Sequence, residues 1–135
     1  MNTPRVLVVD DELSFRLFLK TLFETSGMRV ESARNGSEGY DKARANKPSL
    51  IVLDVMMPEW GGINMYRKIR TTPELADVPV VMLSAVAPEG FAHALNMIGI
   101  SETELAPPEA YVEKPPSPDK LLAIVRGLLN QSVSE

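Results

Sequence analysis

Five positions have side chains that could act together, and each lies at the end of a strand candidate. Asp10 and Asp11 follow Val6, Leu7, Val8 and Val9; Asp54 follows Leu50, Ile51, Val52 and Leu53. Ser84 follows Val80, Val81, Met82 and Leu83, and Lys114 closes the short stretch 110–113. Carboxylates brought to one place repel each other unless a proton or a cation neutralises them. The chain has no cysteine and one histidine, so ligands at such a place would be oxygens. Carboxylates, a backbone carbonyl and water suit Mg²⁺, a hard ion. A carboxylate can also attack phosphorus to form an acyl phosphate. That transfer depends mostly on positioning and charge neutralisation. Lys114 could then pair with one phosphoryl oxygen, and the Ser84 hydroxyl could hydrogen-bond another.

For residues so far apart to meet, the runs before them must be neighbouring strands. A run that is apolar at every position fits a strand covered on both faces, as in a parallel sheet between helices. Stretches 28–33 and 110–113 are weaker strand candidates. Between them the period changes to that of helices. Phe15, Leu19, Leu22 and Phe23 share one helical face, with Asp11 or Ser14 as its cap and Gly27 suited to the turn after its end. Asn35 and Gly36 read as a turn pair. Helices are expected over 37–46, 62–70, 91–98 and 119–129, and Pro58, Gly61 and Gly62 lie in a loop after Asp54. The expectation is an α/β fold of five strands alternating with five helices, with helices on both faces. In such a sheet all carboxyl ends lie along one edge, where ligands bind.

The bulk composition narrows the function classes. The 135 residues suit one domain. Net charge is −4, which argues against a nucleic-acid surface. Without cysteine there is no disulfide, thiolate nucleophile or zinc–thiolate site. No apolar run approaches the roughly 20 residues of a membrane span, and the first residues lack signal-peptide character. A cytoplasmic location and no membrane contact are expected.

The stretch 6–12 with its Asp10-Asp11-Glu12 end, the Asp54 to Gly62 loop with Met57-Pro58, Ser84-Ala85, and Tyr111 with Lys114-Pro115 together resemble the receiver domain of two-component response regulators. The resemblance runs from about residue 5 to 129 and rests on five motifs in order, each after its own strand. It implies the flavodoxin-like strand order 2-1-3-4-5, a doubly wound sheet. It also implies that Asp54 accepts a phosphoryl group from a histidine kinase or phosphotransfer protein. Asp11 and Asp54 would be direct Mg²⁺ ligands with the Met56 backbone carbonyl, and Asp10 would reach the metal through water. Ser84 and Lys114 would hold phosphoryl oxygens, and Tyr111 would be the aromatic switch that turns inward as Ser84 moves. A cis peptide at Lys114–Pro115 is implied too. The expected partners are the kinase or phosphotransfer protein and either a downstream protein or an output domain beyond this chain. Residues 1–135 are expected to be a single receiver, with dimerisation on phosphorylation left open.

Three features depart from the family pattern. The segment between Ser84 and Tyr111 is several residues longer than usual, which puts the output surface in question. Gly61 stands where many members carry Asp or Asn, and Pro116 stands where an apolar residue is common. Two other functions compete. One is a receiver-like interaction module that works without phosphorylation. The other is a phosphatase with an aspartyl nucleophile, of the haloacid-dehalogenase type. That family wants a second acid where this chain has Met56. Trp60 reads as a loop aromatic and His93 as a helix surface residue.

Overall fold

The computed structural model describes residues 3–57, 61–85, 89 and 107–133. Five strands form one parallel sheet: β1 (Arg5–Val9), β2 (Arg29–Ala33), β3 (Leu50–Asp54), β4 (Val80–Ser84) and β5 (Ala110–Glu113). Their order is β2-β1-β3-β4-β5, the flavodoxin-like order. Four helices lie among the described residues: α1 (Leu13–Glu24), α2 (Gly36–Ala45), α3 (Gly61–Thr71) and α4 (Pro118–Val133). The fifth expected helix, over 91–98, lies outside the described residues, as do Pro58, Trp60 and His93.

Burial follows strand position. Every residue of the central strands β3 and β4 is buried. The two edge strands are only partly covered, which explains their weaker signal in the sequence. Alternate residues of the sheet feed two cores. Leu7, Val9, Ile51, Leu53, Val80 and Met82 pack with Ala43 of α2 and Met65, Tyr66 and Ile69 of α3. Val6, Val8, Leu50, Val52, Val81 and Leu83 pack with Leu19 and Phe23 of α1 and Leu121 and Val125 of α4.

Helix starts differ from the sequence reading: α3 takes in Gly61 and Gly62, which were expected in the loop, and the caps of α1 and α2 differ too. The N-cap of α1 is Glu12, without a side-chain cap, and neither Asp11 nor Ser14 fills that role. The Asp10 carboxylate accepts from the Glu12 N–H instead, at 2.9 Å. Asn35 is not merely a turn residue, because its side chain accepts from the Glu38 N–H and caps α2. Gly27 takes φ +90° after α1, the conformation that favours glycine.

At the other end of α3, the Arg70 guanidinium bonds the Ala76 and Val78 carbonyls and the Glu109 carboxylate. Glu109 also accepts from the Val80 N–H at 2.7 Å. This ties α3, β4 and the start of β5 together at the edge of the sheet away from the acid-bearing strand ends.

Candidate functional site

The strand order reverses between β1 and β3, the point where open α/β sheets form a crevice. Val9 is in register with Leu53, so the next residues, Asp10 and Asp54, emerge side by side. The Asp10 N–H continues the β1–β2 ladder to the Ala33 carbonyl at 3.1 Å, which fixes its backbone. Both acids are buried, Asp54 at 4% exposure and Asp10 at 1%, while Asp11 is exposed.

Oxygen atoms of Asp10, Asp11 and Asp54 all lie within 4.8 Å of one another. On the other side, Lys114 Nζ is 2.8 Å from Asp10 Oδ2, 3.4 Å from Glu12 Oε1 and 3.5 Å from Asp54 Oδ2. Three carboxylates thus face one ammonium with Asp11 beside them, so among the described residues the cluster is short of positive charge. This all-oxygen, acid-rich set fits a hard divalent cation such as Mg²⁺.

The charge imbalance appears in the titration behaviour. Burial and the neighbouring Asp10 charge push the Asp54 carboxyl up to about 6, against the pull of Lys114 and of the Met56 N–H. The Met56 N–H donates to Asp54 Oδ1 at 3.1 Å, and the Met56 side chain is exposed. Burial alone would lower Lys114. The hydrogen bond to Asp10 and the charges of Asp54, Asp10 and Glu12 outweigh it and hold the ammonium above the ordinary lysine range.

Lys114 is set by the β4–β5 pair. Ser84 is in register with Glu113, and the Lys114 N–H donates to the Ser84 carbonyl at 2.7 Å. The Lys114–Pro115 peptide is cis, as the resemblance implies. Ser84 is fully buried. Its side chain hydrogen-bonds the Tyr111 phenol, which is half-buried against the α2–α3 core. Burial raises the Tyr111 pKa, and the Ser84 bond lowers it less than burial raises it.

Gly62 closes the loop after β3. A Cβ there would collide with the Asp54 carbonyl oxygen and come within 2.7 Å of Val55 Cα. Only glycine lets α3 start against the strand end that carries Asp54, with the Gly62 N–H bonded to the Val55 carbonyl at 3.2 Å.

The structure brings Asp10, Asp11, Asp54 and Lys114 into one cluster and places Ser84 and Tyr111 beside it, linked to each other. It adds three residues to which sequence reading gave no part in the site. Glu12 touches the lysine, the Phe15 ring lies 4.3 Å from its nitrogen, and Arg16 donates to the Asp10 carbonyl at 2.7 Å. Their common signal is spacing on the first turns of α1, which points Glu12, Phe15 and Arg16 towards the end of β1.

Comparison with known proteins agrees with this geometry. The family profile described as "Response regulator receiver domain" matches residues 6–126. The polar-differentiation response regulator DivK of Brucella anthropi is 31% identical over 94% of this chain and 96% of its own length. The ycf27 protein of Cyanophora paradoxa is 35% identical over 98% of this chain, and the chain spans 51% of that protein's length. The receiver domain of Francisella response regulator 1452 superposes with a TM-score of 0.78 at 30% identity, covering 96% of this chain and 99% of that one.

Proposed function

This chain belongs to the response regulator receiver domain family of two-component systems, and from that premise we propose that Asp54 is its phosphoacceptor. The observation that carries this reading is one cluster: three aspartate carboxylates within 4.8 Å of one another, with a lysine ammonium against the same acids. The donor is a phosphohistidine on a histidine kinase or phosphotransfer protein. An Asp54 carboxylate oxygen attacks phosphorus as the donor P–N bond breaks, and its electron pair leaves on the imidazole nitrogen. Hydrolysis of the acyl phosphate returns the carboxylate and inorganic phosphate.

Asp54 must be ionised to attack, and a pKa of about 6 leaves it mostly so at neutral pH. Asp11 and Asp54 would hold Mg²⁺ directly with the Met56 carbonyl, and Asp10 through water. When bound, the ion would neutralise the crowded carboxylates and the phosphoryl oxygens. Lys114, its ammonium 3.5 Å from Asp54 Oδ2, would pair with a phosphoryl oxygen there. Ser84 supplies a hydroxyl for a second oxygen. Turning the Ser84 hydroxyl towards a phosphoryl oxygen would rearrange its hydrogen bond with Tyr111, which is how the state of Asp54 would reach the α2–α3 face of the sheet. A downstream protein, or an output domain on a longer chain, would read that change.

The test is intact mass after incubation with Mg²⁺ and a small acyl phosphate. One phosphoryl group is expected on the wild type and none on Asp54→Asn. Equal uptake by the two proteins would refute the assignment.

A further inference from the structure

We propose that Phe15 is a positioning residue for Lys114, its ring forming the floor that holds the ammonium over the acid cluster. Lys114 Nζ lies 4.3 Å from the Phe15 ring centroid, well inside the roughly 6 Å range of cation–π attraction. The lysine is 11% exposed, so water competes little for that face.

A floor is needed because lysine is a point charge on a flexible four-carbon stem. The surrounding carboxylates do not by themselves aim it at Asp54. Its shortest contact, 2.8 Å, is to Asp10, and the Asp54 contact is 3.5 Å. A divalent cation at Asp10, Asp11 and Asp54 would draw on those same oxygens and weaken their hold on the ammonium. The ring attracts through its π face and uses none of them. It also occupies none of the ammonium's three N–H donors in a conventional hydrogen bond, so those that bond Asp10 and Glu12 could be redirected to a phosphoryl oxygen.

The ring is itself held. Phe15 packs edge-on against Phe18, with centroids 5.7 Å apart at 68°, and rests on the α1–α4 core. Glu12, the N-cap three residues earlier, also reaches the lysine, so the start of α1 supplies both the floor and an acidic rim. An aliphatic residue of similar size would fill the space without the attraction.

The kinetic part of the test rests on the phosphoacceptor reading; the spectroscopic part does not. Lys114 Hε and Cε resonances are measured in the full chain, with chelator and with Mg²⁺, for wild type, Phe15→Leu and Phe15→Tyr. An upfield ring-current shift is expected in wild type and Phe15→Tyr under both conditions, and its loss in Phe15→Leu. Phosphorylation of Asp54 by a small acyl phosphate should slow about three- to tenfold in Phe15→Leu and recover in Phe15→Tyr. Thermal melts identify any variant that fails to fold, and Phe15→Tyr preserves the packing if Phe15→Leu does not. A Lys114 shift unchanged by Phe15→Leu would overturn the proposal, as would equal slowing in both variants. If the shifts behave as expected but no protein takes up phosphate, the positioning role stands and the phosphoacceptor reading falls.

Discussion

Lys114 is bound more closely to Asp10 than to Asp54, at 2.8 Å against 3.5 Å. Among the described residues Asp10 is thus the nearer partner of the ammonium, while burial and the Asp10 charge push the Asp54 carboxyl up to about 6 against the pull of Lys114. The two acids leave neighbouring strands side by side, yet they differ in which is the better neutralised. That asymmetry leaves Asp54 the more available for other chemistry.

Removing the cation should expose the cost of the cluster. Lys114→Ala leaves Asp10, at 1% exposure, without its ion-pair partner. In chelator the loss is expected to be on the order of 3 kcal/mol by urea unfolding. Lys114→Ala with Asp10→Asn should recover much of it. If the double variant is no more stable than the single, the pair is not the source of the loss.

Asp54→Asn should stabilise the metal-free protein. The folded-state pKa lies above the ordinary 3.8, so between about pH 4 and 6 the native state binds more protons than the unfolded state. Stability then falls as pH rises through that window, and the deficit is complete above about pH 6. A shift of about two units corresponds to about 3 kcal/mol at most. Urea unfolding of both proteins in chelator should give equal stability near pH 4 and a gain for Asp54→Asn at pH 7.5. A constant gap at all pH values would contradict this account.

Divalent cation should stabilise the wild type by mass action, by about 2.7 kcal/mol at a concentration one hundred times its dissociation constant. Asp11→Ala should lose most of this response while folding normally, because Asp11 is exposed. Thermal melts against Mg²⁺ concentration measure both. An Asp11→Ala protein that responds like wild type would remove Asp11 from the ligand set.

The two glycines that begin α3 should behave differently. Gly62→Ala drives a methyl group into the Asp54 carbonyl and should cost about 1–3 kcal/mol, with slower phosphorylation. Gly61 has φ +61° but open space around it, so Gly61→Asn should be tolerated and Gly61→Val should not. Urea midpoints for the three variants decide the matter.

Much of this was legible in the residues alone. The runs 6–9, 50–53 and 80–83 are apolar at every position because their strands are covered on both faces, and they are buried as that pattern requires. Asp10, Asp54, Ser84 and Lys114 end up along one edge because a parallel sheet aligns all its carboxyl ends. The edge strands were harder to read, since a half-covered strand need not be apolar throughout. The cap of α1 was misread, and that of α2 not read at all, because a cap depends on which N–H a side chain reaches. Asp10 reaches the Glu12 N–H from outside the helix.

The periodicity of apolar residues, and the residue types at the strand ends, decided on their own that this chain folds as a parallel α/β sheet with acids, a hydroxyl and an amine at one edge. Local pattern carries that information because burial acts on each strand and helix face separately. Only the tertiary structure decided how the charges are shared: that Lys114 bonds Asp10 over Asp54, that Glu12 and Phe15 flank the lysine, and that Ser84 is engaged with Tyr111. These depend on distances between residues up to 104 positions apart, set by strand register and helix docking. Spacing along the chain does not encode such distances.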